Sequence, residues 1–303
     1  MGKRYIVRVP GSSANLGSGF DHLGLALAQY TTVTVTVGEN ARPVTTGVDA
    51  DLLSDAPNLV ERAMGRLAVA AHRRLPPHAL VVENGIPVAR GMGGSAAAVI
   101  GGLLVANAVL GEPFDRLSDE LDDPILGIAT QIEGHADNVA ASLYGGIVAA
   151  DGGVAFSLSD GADLRAVVFV PDSTLLTSAA RAALPLSVPH KDAVMNLGNV
   201  AMLVAALIDH EYEALGRWMR DRLHEPYRAP LIPWLAPLVA AAEGAGAYGA
   251  CLSGAGPTVL ALAGPGQAKA VGAAMRIAAA GGNFPGTVHI LNIDDAGAVI
   301  TEG

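Results

Sequence analysis

Apolar and polar positions alternate with period two in residues 5–9 (YIVRV) and again in residues 30–37 (YTTVTVTV). Both stretches predict strands, the second with a polar face of threonines. The period changes to that of a helix over residues 58–71, where Leu59, Ala63, Leu67 and Ala70 share one side. A short strand at 79–83 leads into residues 86–107 (IPVARGMGGSAAAVIGGLLVAN), apolar and small on every side after its glycines. That pattern predicts a glycine loop running into a buried helix. A helix follows at 126–133, then a strand pair, 147–150 and 154–158, about Asp151, Gly152 and Gly153. Beyond Asp160 the pattern gives a strand at 166–170, helices at 191–208, 212–223 and 235–243, and strands at 248–252 and 258–263 about a turn at 253–257. A helix at 267–280 and a strand at 288–293 complete it. Strand, helices, two strands, helix and strand in that order predict a ferredoxin-like α+β layer. The boundary lies in 152–161 without a linker, so the chain divides at 158/159 into two domains.

With 303 residues, of which 51% are apolar and 16% charged, the chain has enough material for two packed domains and is not disordered. A net charge of −10 argues against a general nucleic-acid binder, though not against a local cationic pocket. The single cysteine, Cys251, excludes an intrachain disulfide and a cysteine zinc site and reads as a small buried side chain. The first residues (MGKRYIVRVP) lack the apolar core of a signal peptide. No uninterrupted apolar run reaches the ~18–20 residues of a membrane span. A soluble cytoplasmic protein is the expectation.

Four polar or glycine-rich stretches carry candidate chemistry. Gly91, Gly93 and Gly94 precede Ser95 and the apolar helix. Free first-turn amides and the positive end of the helix dipole make an anion site there, and phosphate suits it. Ser95 is placed to cap the helix and to offer a hydroxyl to a phosphate-bound metal. The loop is neither a Walker A motif, lacking Lys-Ser or Lys-Thr, nor a Rossmann fingerprint. Residues 11–27 (GSSANLGSGFDHLGLAL) read as a binding loop with Asn15, Asp21 and His22. Glu133, His135, Asp137 and Asn138 gather in EGHADNV. Residues 249–258 (GACLSGAGPT) predict a tight strand–turn–strand where another backbone or a phosphate comes close.

Taken in this order, these stretches resemble the GHMP kinases and, within them, the homoserine kinase branch. The residues carrying the likeness are 10–27 (PGSSANLGSGFDHLGLAL), 87–98 (PVARGMGGSAAA), 133–139 (EGHADNV) and 249–260 (GACLSGAGPTVL), with weaker matches at 178–185, 190–198 and 221–233. The resemblance implies a two-domain α+β GHMP kinase fold, with an N-terminal ATP-binding α/β domain and a C-terminal ferredoxin-like one. It also implies transfer of phosphate from ATP to the side-chain hydroxyl of L-homoserine, on the route to threonine. By motif position it implies ATP on Pro87, Val88, Ala89, Arg90, Gly91, Met92, Gly93, Gly94, Ser95, Ala96 and Ala97. Asn58 would join the adenine pocket, carried by residues 55–60 (DAPNLV). Ser95 and Glu133 would hold Mg2+. Asn15, Asp21, His135, Asn138, Arg181 and Arg228 would hold homoserine. Of these residues, Asp21, Asn138, Ser95 and Glu133 carry the catalytic assignment.

The chemistry agrees: an amino acid needs a carboxylate for its ammonium and a guanidinium for its carboxylate. The family loop usually reads Gly-Leu-Gly-Ser-Ser, whereas Gly94 stands here for the first serine. Losing that hydroxyl would cost about 1 kcal/mol of ATP binding if it bonded phosphate. The general base stays open between direct transfer to a phosphate oxygen or water, Asp21, and His135, since Asn138 takes no proton at neutral pH. Two rival functions also stay open: another GHMP kinase acting on a neutral alcohol, and a catalytically silent ligand-binding relative. A homodimer is the base-rate expectation.

Overall fold

A computed structural model of the chain describes residues 2–54, 58–114 and 122–303. Asp55, Ala56 and Pro57, part of the stretch that carries Asn58, lie outside the described residues. Two sheets organise the molecule. In the first, β1 (Arg4–Ala14) pairs antiparallel with the long β2 (Leu23–Val37). β3 (Val44–Gly47) runs parallel to β4 (His78–Asn84), which pairs with the second half of β2. The first half of β2 pairs instead with β5 (Ile147–Asp151), which continues to β6 (Val154–Ser159). Val7, Val9, Val33 and Val35 are fully buried, as the period-two pattern requires.

The stretch read as a loop over 11–27 is shorter than expected. Residues 11–14 complete β1 and residues 23–27 begin β2, leaving 15–22 as the connection. Serine and glycine look like loop residues, but Ser12 and Ser13 are buried and hydrogen-bonded inside the sheet. A Cβ at Gly24 would lie 2.2 Å from the Asp137 carbonyl, so its small size serves a close packing contact.

Against this sheet pack α1 (Ala50–Ser54), α2 (Leu59–Ala70), α3 (Gly94–Val109), α4 (Pro124–Glu133) and α5 (Asp137–Tyr144). Asn58 caps α2, its side chain accepting from the amides of Val60 (3.0 Å) and Glu61 (3.3 Å). The buried face of α2 is Val60, Ala63, Met64, Leu67 and Ala68, rotated from the predicted stripe so that Ala70 faces solvent. α3 is the buried central helix its composition predicts, with Ile100, Leu103 and Val105 inaccessible.

The second sheet takes β7 (Arg165–Pro171), β8 (Gly249–Leu252), β9 (Val259–Ala263) and β10 (Gly286–Asn292), in spatial order β10-β7-β9-β8 and antiparallel throughout. This is the ferredoxin-like arrangement. Its helices are α6 (Thr177–Ala182), α7 (His190–Ile208), α8 (Leu215–Trp218), α9 (Glu225–Arg228), α10 (Leu235–Gly244) and α11 (Ala268–Gly281). The single helix predicted for 212–223 is instead a 3-10 turn and the short α8. The chain beyond is drawn out by α7, where Asn199 donates to the Arg220 carbonyl (2.7 Å) and Asn196 accepts from the Arg222 amide (3.1 Å). Pro226 would also clash with a helical carbonyl at position 222. Finally β11 (Val299–Glu302) returns to pair with β1, so a division at 158/159 separates the sheets only as far as β10.

Among the described residues, α7 alone is long and apolar enough to cross a membrane by length and composition. Its inward residues Asn196, Asn199, Leu203, Ala206 and Leu207 are buried against the protein.

Candidate active site between the two sheets

A cleft of about 470 Å³ lies where the glycine loop, the 15–22 connection and the start of α5 meet α6, α9 and the β8–β9 turn. The residues assigned to the site from sequence line it, except Ala96 and Ala97, which are fully buried, and the binding-loop candidate His22, which is exposed with its ring against the Phe20 carbonyl.

At the glycine loop, the N-cap of α3 lies two residues earlier than the sequence suggests. Gly93 is the N-cap, with φ 70°, and no side chain caps the helix. Ser95 is therefore inside the first turn rather than at the cap, and its hydroxyl donates to Glu133 Oε2 (2.8 Å). The amide of Ala97 already serves the Gly93 carbonyl (3.0 Å), leaving those of Gly94, Ser95 and Ala96 for an anion. No acidic residue sits in that first turn to compete. A Cβ at Gly93 would stand 2.1 Å from Ser12 Oγ, so only glycine lets the loop lie against β1. A Cβ at Gly94 would meet nothing closer than Ile86 at 3.6 Å, so a serine would fit there. Arg90 is tied elsewhere: its guanidinium binds Asp49 (2.7 Å) and the carbonyls of Pro171 (3.0 Å) and Asp172 (3.1 Å), bracing the loop against the second sheet. The β8–β9 turn braces it further, Ser253 Oγ donating to the Gly91 carbonyl (2.5 Å). That is the close backbone approach its glycines predict.

Ser95 and Glu133 present only oxygen, next to free amides. A hard cation shared with phosphate oxygens and water suits such a donor set, which fits Mg2+. Among the described residues there is no cluster of three or more His, Cys, Asp or Glu side chains that would suit a softer metal.

Further along, Asp137 is almost fully buried and accepts from the Asn138 amide and from His135 Nδ1, both at 2.7 Å. Burial opposes charge on His135, but the Asp137 hydrogen bond and charge outweigh it and raise the imidazole pKa. Asn138 Oδ1 accepts from Ser12 Oγ (3.0 Å), and among the described residues its NH2 group has no protein partner.

The charged residues of both signs gather around Phe20. Arg181 makes a two-pronged ion pair with Asp21 (2.7 and 3.0 Å), and this bond raises its pKa. The guanidinium carbons of Arg181 and Arg228 lie 5.8 and 5.3 Å from the Phe20 ring centre. Arg228 is 1% exposed, and burial lowers its pKa. Asn15 spends its side chain on the fold, donating to the Gly254 carbonyl (2.7 Å) and accepting from the Asp21 amide (3.0 Å). Asn15 and Asp21 have φ of 73° and 61°, and these bonds hold the strained connection that presents Asp21. Sequence reading did not single out Ser12, Ser253, Phe20, Asp221 or His224 as site residues. The serines are visible in SSAN and LSG, but their partners lie far away in sequence.

A glycine loop at a helix N-terminus, an oxygen pair beside it and a two-sheet cleft define a small-molecule kinase of the GHMP type. The family GHMP kinases N terminal domain matches residues 58–146 and GHMP kinases C terminal matches residues 203–281. Homoserine kinase of Desulfitobacterium hafniense is 40% identical over 299 residues, 97% of this chain and 99% of that one. Homoserine kinase of Deinococcus radiodurans is 44% identical over 261 residues, 84% and 83% of the two chains. The crystal structure of homoserine kinase from Cytophaga hutchinsonii superposes with a TM-score of 0.86 at 29% identity, covering 98% of this chain and 97% of that one. A mevalonate kinase structure shares the fold at a TM-score of 0.68 and 15% identity. The chain belongs to the homoserine kinase family of the GHMP kinases. Its activity is the ATP-dependent phosphorylation of L-homoserine in threonine biosynthesis.

Proposed function

We propose that the cleft performs this reaction with ATP phosphates on the amides of Gly94 to Ala96, the adenine toward Asn58, and L-homoserine held between Asp21 and the two arginines. The observation that carries the reading is the meeting of one carboxylate and two guanidiniums around Phe20 in the same cleft as the glycine loop. A zwitterion needs both signs, whereas a neutral alcohol needs neither. Asp21 takes the ammonium, Arg228 and Arg181 the carboxylate, and Asn138 directs its NH2 to the side-chain hydroxyl oxygen. Ser95 and Glu133 would hold Mg2+, which when bound neutralises phosphate charge. The hydroxyl oxygen forms the new bond to the γ-phosphorus as the bond to ADP breaks.

The proton goes to His135. Asn138 cannot hold it, and Asp21 faces two cations, Arg181 and the substrate ammonium, whereas the Asp137 hydrogen bond makes His135 a stronger base. His135→Asn is expected to lower kcat about a hundredfold and to remove the acidic limb of the kcat–pH profile. An unchanged profile would send the proton to a phosphate oxygen or water instead.

A coupled ADP-release assay with Mg-ATP against L-homoserine, L-serine, mevalonate and galactose tests the acceptor. Turnover on L-homoserine alone is expected; turnover on galactose or mevalonate would overturn the zwitterion clamp.

The partners of this reading are L-homoserine, ATP and a second copy of the chain, working in the cytoplasm where ATP is supplied. The outward side of α7 supports the homodimer. Val194, Leu197, Met202 and Ile208 are 46–69% exposed there, and no charged residue stands between Asp192 and Asp209. Such an uncharged face matches itself across a two-fold axis. Sedimentation equilibrium is expected to give the mass of two chains, and Leu197→Glu that of one.

A further inference from the structure

The carboxylate-binding Arg228 does not stand alone. Asp221 accepts from the amides of Leu223 (3.0 Å), His224 (2.7 Å) and Glu225 (2.7 Å), fixing the first turn of α9. That turn sets His224 and Arg228 four residues apart, on one side of the helix. His224 is fully buried. Its Nδ1 lies 3.2 Å from Arg228 Nη1, and its Nε2 lies 3.0 Å from the Gly17 carbonyl. A guanidinium only donates and a carbonyl only accepts, so both contacts hold together in one state. The imidazole is neutral, with its proton on Nε2 donated to Gly17 and its Nδ1 lone pair accepting from Arg228.

Burial, the largest influence, also keeps His224 below its ordinary pKa, against the pull of Asp221 Oδ2 at 3.9 Å. The ring stacks on Phe20, with centroids 4.8 Å apart. Arg228 Nη1 also donates to the Gly254 carbonyl (3.2 Å) and Nε to the Ala180 carbonyl (3.4 Å), and among the described residues Nη2 has no protein partner. Gly17 and Phe20 belong to the same connection as Asn15 and Asp21. One buried imidazole thus touches both the segment that presents the ammonium-binding carboxylate and the guanidinium that receives the substrate carboxylate.

We infer that His224 is a positioning residue for acceptor recognition, locking Arg228 with Nη2 turned to the substrate carboxylate and tying it to the loop that carries Asp21. The inference rests on the reading that Arg228 binds that carboxylate. In its absence Arg228 would keep a buried N–H without an acceptor and would settle on other partners.

The test compares two acceptors, L-homoserine and the amino diol in which a hydroxymethyl group replaces the carboxylate, with saturating Mg-ATP. His224→Gln can still donate to Gly17 but offers no acceptor at the Nδ1 position. It is expected to raise the KM for L-homoserine about 30-fold, as for one lost charged hydrogen bond. The KM for ATP and the kcat/KM for the amino diol are expected to stay within about twofold, because neither depends on the carboxylate pairing. His224→Asn, whose side-chain oxygen can replace the Nδ1 acceptor, is expected to recover most of the loss. Equal penalties on both acceptors, or no recovery in His224→Asn, would overturn the proposal and leave His224 as a packing residue. Should His224→Gln fail to fold, His224→Ala, which also removes the acceptor, carries the same expectation for the two acceptors, and equal penalties would again overturn it. Arg228→Met run beside them separates the two layers. If it fails to discriminate between the acceptors, the carboxylate reading of Arg228 is wrong. If it discriminates and His224→Gln does not, only the positioning role falls.

Discussion

Arg228→Met is expected to raise the KM for L-homoserine several-hundredfold while leaving the KM for ATP nearly unchanged. The guanidinium is already out of water, at 1% exposure, and is held by the Gly254 carbonyl and His224. A carboxylate meeting it therefore finds a charge whose desolvation has been met by the fold. Truncating one partner of such a buried pair costs about 3–4 kcal/mol, which corresponds to that change in affinity. Methionine keeps the apolar stem, so the loss reports the charge and its hydrogen bonds. A melting curve accompanies the kinetics, because the Gly254 carbonyl and His224 lose a donor as well. Steady-state kinetics with each substrate varied in turn checks it. A KM for homoserine within tenfold of the parent would place the carboxylate on Arg181 alone.

Glu133→Gln is expected to act on the other term, lowering kcat a hundredfold to a thousandfold with little change in the KM for homoserine, about 3–4 kcal/mol of transition-state stabilisation. Glutamine is nearly isosteric and still accepts the Ser95 hydroxyl, whose bond to Glu133 is 2.8 Å long. What it removes is a negative charge beside the first turn of α3. The concentration of Mg2+ needed for half-maximal rate is expected to rise, and a titration at fixed ATP reads it. Unchanged kcat and unchanged Mg2+ dependence together would remove Glu133 from the metal assignment.

The two mutations touch residues of unequal visibility. Glu133 and Ser95 stand in motifs with a chemical logic of their own, a carboxylate near a polar turn and a hydroxyl after glycines. The alternating strands and the buried α3 were equally plain, because a half-buried strand and a fully buried helix each impose a period on the chain. Less was visible where small polar residues serve packing. Ser12, Ser13, Gly11 and Gly24 read as loop, yet they lie in β1 and β2, where their small size lets the sheet meet the glycine loop and α5. α6 left little signal, since six residues give barely more than one helical period. Asn15 was legible as a candidate ligand-binding amide, but its bonds to Gly254 and Asp21, which also brace the connection, were not.

By itself the sequence determined the α+β class, the buried glycine-loop helix and the branch of kinases. Local periodicity and short motifs carry all of these, so they need no knowledge of distant contacts. Tertiary structure alone decided that β11 closes the first sheet, that Arg181 pairs with Asp21 across 160 residues, and that Gly17 and Arg228 share one neutral histidine. The physical reason is that a hydrogen bond or ion pair between remote segments leaves no period in the chain. Its partners become neighbours only when the two sheets have packed and water has left the space between them.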